Sequence, residues 1–375
     1  MKQFEFGNFR FQQRLRIGEN TGIKLLANLG HMDEAMNYDD ELRKASIAVN
    51  CGVDILADNS VTKKSFDFKR WIKANLPVML NTVPIYDCFD AMENGTFEFA
   101  MLEEAIDKHI EVGADMMVFH PTLTAGLRNS VEASSRIIKV TSRGGSQMYR
   151  YLGKGKCENP YYEYWDDLCN KLSNKGIAIA IGLSLRSGSV VDDCDDLFMQ
   201  ELDIAGDLVL RAHRANIPVV VEGMGHIRDD NMVVLFSEVK KRCHGVPIKT
   251  LGPLLSDRMI GMEHINALLG SYSAAKAGAS IIGALFRSEH LGLPSVEEYE
   301  ESLMNYKLLK YILNMTPENL EIEKMISEER SRRNWSGVLK HAYFQSEAQK
   351  QFHLRYGECT PDTCTMCGKR CAMRS

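Results

Sequence analysis

Pro218-Val-Val-Val-Glu222-Gly-Met-Gly-His226 sets three β-branched residues directly before an acid, a turn rich in glycine and an imidazole. A short apolar run bounded by turn residues reads as a strand buried on both faces, and polar groups at its exit read as a strand end that opens on a site. The same pattern recurs along the chain. Strands are predicted at Ile23–Asn28, Val53–Ala57, Pro77–Val83, Asp115–Phe119, Ile137–Thr141, Ile177–Ile181, Pro218–Val221, Ile248–Leu251 and Ala279–Leu285. Helix-length amphipathic segments lie between them, among them Glu41–Val49, Leu102–Val112, Tyr164–Asn174, Asp203–Ala215 and Asn231–Lys241. Alternating β and α units imply an α/β fold with a parallel sheet, here a (β/α)8 TIM-type barrel. Nine strand candidates exceed the eight a closed barrel takes, so one of them is surplus.

Polar residues cluster after these runs: Asn28, Tyr86, His120, Ser142-Arg143-Gly144-Gly145, Arg186-Ser187-Gly188, Glu222 to His226, Gly252-Pro253 and Glu289-His290. The carboxyl ends of barrel strands converge on one face, so these distant residues are expected around one cavity. Ser142-Arg-Gly-Gly-Ser146 reads either as a plain strand exit needing positive φ or as a nest of backbone amides for an anion. Arg186 with Ser187, Gly188 and Ser189 offers a second anion site, and two such sites suggest a phosphorylated small molecule. His226 and His290, each beside an acid and pinned by glycine or proline, form a candidate pair of ligands for a divalent metal, with His120 and His264 as competitors.

The other concentration of chemistry is C-terminal: Cys364-Thr-Met-Cys367-Gly-Lys-Arg-Cys371. Three thiols at C-x2-C-x3-C spacing point to a metal, either a zinc completed by Cys359 or His353, or a 4Fe-4S cluster with one iron left open. The remaining cysteines are scattered over a long chain, which fits a reducing interior rather than a disulfide framework. With 375 residues, 45% hydrophobic and 25% charged, the chain is long enough for one large domain and an appendage. A net charge of −5 with dispersed basic residues gives no footprint for nucleic acid or membrane. Nowhere do eighteen apolar residues run uninterrupted, and the amino terminus lacks a signal-type apolar stretch, so a cytoplasmic protein is expected. The division predicted is residues 1–21 as an N-terminal segment, 22–300 as the barrel, 301–350 as a helical connector and 351–375 as the cysteine-bearing tail. The run Glu321–Arg333, acidic then basic, reads as a solvated helix face.

Taken together and in order, Val83-Pro-Ile-Tyr86, Ser142-Arg-Gly-Gly-Ser146, Leu185-Arg-Ser-Gly-Ser189, Glu222-Gly-Met-Gly-His226, Thr250-Leu-Gly-Pro-Leu254, Glu289-His-Leu-Gly-Leu-Pro294 and Cys364-Thr-Met-Cys-Gly368 resemble the phosphomethylpyrimidine synthase (ThiC) family, across roughly residues 22 to 374. That resemblance implies a radical S-adenosylmethionine lyase acting on aminoimidazole ribotide or a close analogue. It implies a homodimer in which the cluster tail of one subunit closes over the barrel of the other, served by an electron donor such as flavodoxin or ferredoxin. Carried over by position, Cys364, Cys367 and Cys371 hold a 4Fe-4S cluster, and His226 and His290 bind a divalent metal, zinc or iron. Asn28, Tyr86, His120, Ser142, Arg143, Gly144, Arg186 and Glu222 line the ribotide site, with Glu222, Arg186 and His120 as the catalytic candidates.

The chain departs from the family pattern at several points. The family's C-x2-C-x4-C is shortened by one residue, and Leu183 stands where the family has an acid. Ala57-Asp-Asn-Ser60, Leu26-Ala-Asn28-Leu-Gly30 and His120-Pro-Thr122 also differ from the family's runs. Three readings follow: formation of the thiamine pyrimidine, formation of 5-hydroxybenzimidazole from the same ribotide, or a silent barrel with a zinc-binding tail acting as an assembly partner.

Overall fold

A computed structural model of the chain describes residues 2–8, 13–32, 36–62, 64–155 and 157–374. Two antiparallel strands, β1 (Gln3–Asn8) and β2 (Gln13–Gly18), pair from Gln3 opposite Gly18 to Asn8 opposite Gln13. They bury Phe4, Leu15 and Ile17, and they lie in a segment from which no strand was predicted. Eight further strands follow: β3 (Lys24–Leu29), β4 (Ile55–Asp58), β5 (Met79–Thr82), β6 (Met116–Phe119), β7 (Ala178–Gly182), β8 (Val219–Gly223), β9 (Ile248–Leu251) and β10 (Ile281–Ala284). All pair in parallel and close in the order β10-β3-β4-β5-β6-β7-β8-β9. Every residue of β4 to β8 and of β10 is buried, as expected of strands covered by helices on one face and by the barrel interior on the other.

The surplus candidate is Ile137–Thr141, which forms no strand. Its β-branched residues favour extended backbone, but the barrel is already closed and offers them no neighbouring strand to pair with. Arg136 anchors this stretch instead, through Asp195 Oδ2 at 2.6 Å and the Leu185 carbonyl at 2.5 Å. Ser142 therefore ends a loop rather than a strand. Its hydroxyl accepts from Gly145 N at 3.2 Å and caps the helix Arg143–Gly153.

The outer helices form where apolar residues recur at helical spacing. Trp165–Leu172 buries Trp165, Leu168, Cys169 and Leu172, and the Trp165 indole donates to the Leu208 carbonyl at 3.0 Å. Val296–Leu313 buries Tyr299, Leu303, Tyr306 and Leu309, and Lys310 at its end reaches Asp54 at 2.6 Å. Two buried ion pairs hold loops at the strand ends. Asp58 pairs with Lys69 at 2.9 Å while accepting from Ser60 N, and Glu41 pairs with Lys44 at 2.8 Å while accepting from Gly30 N. Gly30 has φ +137°, and a Cβ there would lie 2.6 Å from Ser60 N, so only glycine fits.

The chain divides into two compact units, Met1–Leu313 and Asn314–Ser375. In the second, a capping box formed by Thr316 and Asn319 opens the helix Pro317–Ser331, which buries none of its residues, in keeping with its run of charges. Trp335–His341 and Gln345–Tyr356 follow. The tail folds onto these helices: Trp335 Nε1 donates to the Pro361 carbonyl at 2.6 Å, Arg333 Nη1 to the Met373 carbonyl at 2.6 Å, and Thr365 N to the Tyr356 hydroxyl at 3.0 Å. Among the described residues no helix is long and apolar enough to cross a membrane.

Candidate active site

The carboxyl ends of the barrel strands surround a cavity of about 300 Å³. Asn28, next to last in β3, lies beside Asn59, whose amide donates to it at 3.2 Å. Tyr86 sits in the 3-10 turn Pro84–Cys88 after β5, and the Arg143 guanidinium lies 5.4 Å from its ring centroid. Ser142 and Arg143, at the start of their helix, add backbone amides and a cation to the same wall. His120, Arg186, Glu222, His226 and His290 complete the lining drawn from the sequence. Gly144 does not line the cavity. A Cβ there would fall 2.3 Å from the His120 ring, so its glycine lets the helix lie against that imidazole.

Burial sets the charge states. Burial pushes the His120 imidazole down to about 4, with Arg186 and Lys249 opposing protonation and Glu222 favouring it, so the ring is neutral at ordinary pH. Glu222 is also buried, which raises its pKa, but Lys249, then Arg186, outweigh burial and hold it below the usual carboxylate value. Arg186 makes no hydrogen bond or ion pair among the described residues. Among the described residues the Arg143 guanidinium donates to the Met32 sulfur and the Asn59 carbonyl and lies over the Tyr86 ring. Two guanidinium groups thus meet the cavity without a carboxylate partner.

His226 and His290 come together with ring centroids 5.3 Å apart. Each Nδ1 is engaged by a carboxylate, His226 by Asp257 at 2.7 Å and His290 by Glu263 at 2.5 Å, and neither Nε2 has a partner among the described residues. That is the usual arrangement behind a metal-ligating imidazole. His264, a competitor for this role, is buried in the helix Glu263–Ala277 and does not line the cavity. No group of three or more His, Cys, Asp or Glu side chains is gathered for a metal among the described residues.

In the second candidate anion site Ser189 Oγ and Val190 N both donate to Asp257 Oδ2 at 3.0 Å, the carboxylate that orients His226, and Ser187 Oγ donates to the Ser189 carbonyl. The Arg186 guanidinium takes no part in these bonds. Leu183 is fully buried, with its Cδ1 2.8 Å from where a Cβ on Gly223 would lie, and does not line the cavity.

Several residues around the site escaped the sequence reading. Glu201, in the helix Asp196–Arg214, accepts from Thr122 Oγ1 at 2.6 Å, Ser184 N at 2.6 Å and Leu185 N at 2.9 Å, tying down the loops after β6 and β7. Burial pushes its carboxyl up to about 7 against these donors and Arg136. Asn81 and Lys249 point from β5 and β9 into the cavity. The signal for Lys249 was present: a lysine inside the apolar run Pro247-Ile-Lys-Thr-Leu251.

The cysteines Cys364, Cys367 and Cys371 belong to the second unit, wound in successive turns. Gly368 N donates to the Cys364 carbonyl at 2.9 Å and Cys371 N to the Gly368 carbonyl at 3.2 Å.

The sequence profile of the radical SAM ThiC family matches residues 7–375. A phosphomethylpyrimidine synthase from Fusobacterium nucleatum is 30% identical over 378 residues, covering 98% of this chain and 86% of that protein. Those from Clostridium kluyveri and Alkaliphilus metalliredigens are each 31% identical, covering 96% of this chain and 83% of theirs.

Proposed function

The chain belongs to the radical SAM ThiC family, and on that premise we propose that its barrel cavity binds aminoimidazole ribotide and that the protein rearranges it to the hydroxymethylpyrimidine phosphate precursor of thiamine. The observation that carries the reading is the pair of guanidinium groups, Arg143 and Arg186, that meet the cavity unpaired beside a capped helix start. A phosphate is the ligand such a set recognises. Of the three readings drawn from the sequence, this is the one the relatives' names support, and no observation favours the hydroxybenzimidazole or zinc-tail alternatives. Leu183, whose apolar side chain prompted them, lies outside the cavity lining.

Family membership brings an iron-sulfur cluster and S-adenosylmethionine. Cys364, Cys367 and Cys371 would hold the cluster, which together with S-adenosylmethionine supplies a 5′-deoxyadenosyl radical. His226 and His290 would hold a divalent metal, zinc or iron, through their Nε2 atoms, with Asp257 and Glu263 fixing the rings. Arg143, Ser142 and the helix start would bind the phosphate, with Arg186 opposite. Glu222, ionised, and His120, neutral, would accept protons at the cavity floor. The reading includes a cytoplasmic homodimer and a flavodoxin- or ferredoxin-type electron donor.

Anaerobic reconstitution is expected to give a brown protein with about four irons per chain. Incubation with S-adenosylmethionine, reductant and aminoimidazole ribotide, followed by product identification by mass, is expected to give the hydroxymethylpyrimidine phosphate and 5′-deoxyadenosine. A hydroxybenzimidazole product, or a colourless zinc protein, would replace this reading with one of the alternatives.

A further inference from the structure

His120 and Arg186 stand on separate loops, after β6 and β7, and among the described residues Glu201 alone bonds to both loops. At the exit of β7, Leu183 N still donates to the Glu222 carbonyl across the sheet at 2.8 Å. Beyond it no strand remains to pair with, and Glu201 takes over: Ser184 N donates to its Oε1 at 2.6 Å and Leu185 N to its Oε2 at 2.9 Å. The Leu185 carbonyl accepts from Arg136 Nη2 at 2.5 Å. The backbone leading into Arg186 is thus held at two amides and at the carbonyl that precedes it.

On the other loop Thr122, two residues after His120, donates from Oγ1 to the same Glu201 Oε1 at 2.6 Å, and the His120 carbonyl accepts from Asn159 Nδ2 at 2.8 Å. Glu201 is itself fully buried, and neither it nor Thr122 lines the cavity. A buried carboxyl costs stability unless donors satisfy it, and here all three donors come from the two site loops. Asp195, beside the start of the same helix, accepts from Phe198 N at 2.9 Å and from Arg136 Nε at 2.6 Å, so both clamps on the Arg186 loop trace to one helix.

We infer that Glu201 is a positioning residue that fixes His120 and Arg186 relative to one another, so that a single ligand meets both. It acts through Thr122 and the Ser184 and Leu185 amides. This rests on the proposed ribotide reading, in which His120 and Arg186 face the same molecule. Thr122 Oγ1 can accept as well as donate, so the bridge survives protonation of the carboxyl. A glutamine is a poor substitute: Oε1 takes two donors and Oε2 one, so either orientation of its amide sets the NH2 group against a backbone N–H.

The test measures thermal unfolding of each full apo-chain and its affinity for aminoimidazole ribotide, by calorimetry at a temperature where every chain compared is folded. Glu201→Gln is expected to weaken ribotide binding roughly tenfold. Thr122→Val, which removes only the hydroxyl, is expected to weaken it about threefold, and Thr122→Ser, which keeps the hydroxyl, to bind as the wild-type chain does. If Glu201→Gln fails to fold, the two Thr122 variants decide. A lowered unfolding temperature with unchanged affinity in the folded variants, or equal loss of affinity in Thr122→Val and Thr122→Ser, overturns the inference alone. A wild-type chain that does not bind the ribotide overturns the proposed substrate and this inference with it.

Discussion

In the tail, Cys364, Cys367 and Cys371 follow one another along a single winding of backbone, held by bonds from Trp335, Arg333 and Tyr356 within the same small unit. In the barrel, the residues around one cavity run from Asn28 on β3 to His290 beyond β10 and meet only because eight strands close. The chemistry proposed for the tail resides in its three thiols, which a short winding of backbone brings into sequence. The barrel's chemistry resides in what burial and mutual charge do to ordinary side chains: a neutral His120, an ionised Glu222 and a Glu201 that titrates near neutrality. Damage to the tail should therefore remove the radical chemistry and spare the fold, whereas damage to the barrel should affect fold and binding together.

The sharpest break is Cys371→Ser. Loss of a thiolate from a three-cysteine set is expected to abolish the reconstituted iron and the 5′-deoxyadenosine formed, while ribotide binding to the apo-chain stays at the wild-type level. Iron analysis and calorimetry on one preparation check both halves. On the barrel side, Lys69→Met leaves Asp58 buried without its cation and is expected to cost about 3–5 kcal/mol in denaturant unfolding. Equal destabilisation by Cys371→Ser and Lys69→Met would erase the contrast between the two regions.

A pH series comes next in size. Glu201 titrates near 7 in the fold, above the 4.5 of a free glutamate. The folded state therefore binds more protons between those values, and the contribution of this group is full below pH 4.5 and lost as pH rises through 7. Across that window it amounts to about 3 kcal/mol. Glu201→Gln, which cannot ionise, is expected to remove this downward component, so its stability rises more steeply than that of the wild-type chain between pH 5 and 7. Identical slopes would mean that the carboxyl is ionised in the fold.

Gly144→Ala puts a Cβ into the His120 ring. It is expected to cost about 1–3 kcal/mol, visible as weaker ribotide binding as well as lower stability. The smallest effect is expected in the tail. Arg374→Ala removes an exposed ion pair with Asp362, formed at 2.8 Å, and should change stability by less than about 1 kcal/mol.

The same contrast governs how much was legible in advance. The cysteine spacing and the eight buried strands could be read because each is a local pattern, a ligand repeat or an apolar run. The surplus strand at Ile137–Thr141 was misread because β-propensity is only an offer to pair, and whether a partner edge remains is decided by closure elsewhere. At Ser189 the hydroxyl is taken by Asp257, a carboxylate from a distant loop that no local spacing pointed to.

By itself the sequence determined the barrel class and eight of its strands among nine candidates, the thiol motif and the strand-end residues Asn28, Tyr86, His120, Arg186, Glu222, His226 and His290. Only the tertiary structure decided which of the polar groups stay free. It committed Asp257 and Glu263 to the imidazoles, placed Lys249 against Glu222, turned Leu183 out of the cavity and left Arg143 and Arg186 unpaired. A hydrogen bond or a charge pair depends on distances of a few ångströms between residues far apart in the chain, and no local spacing encodes those distances.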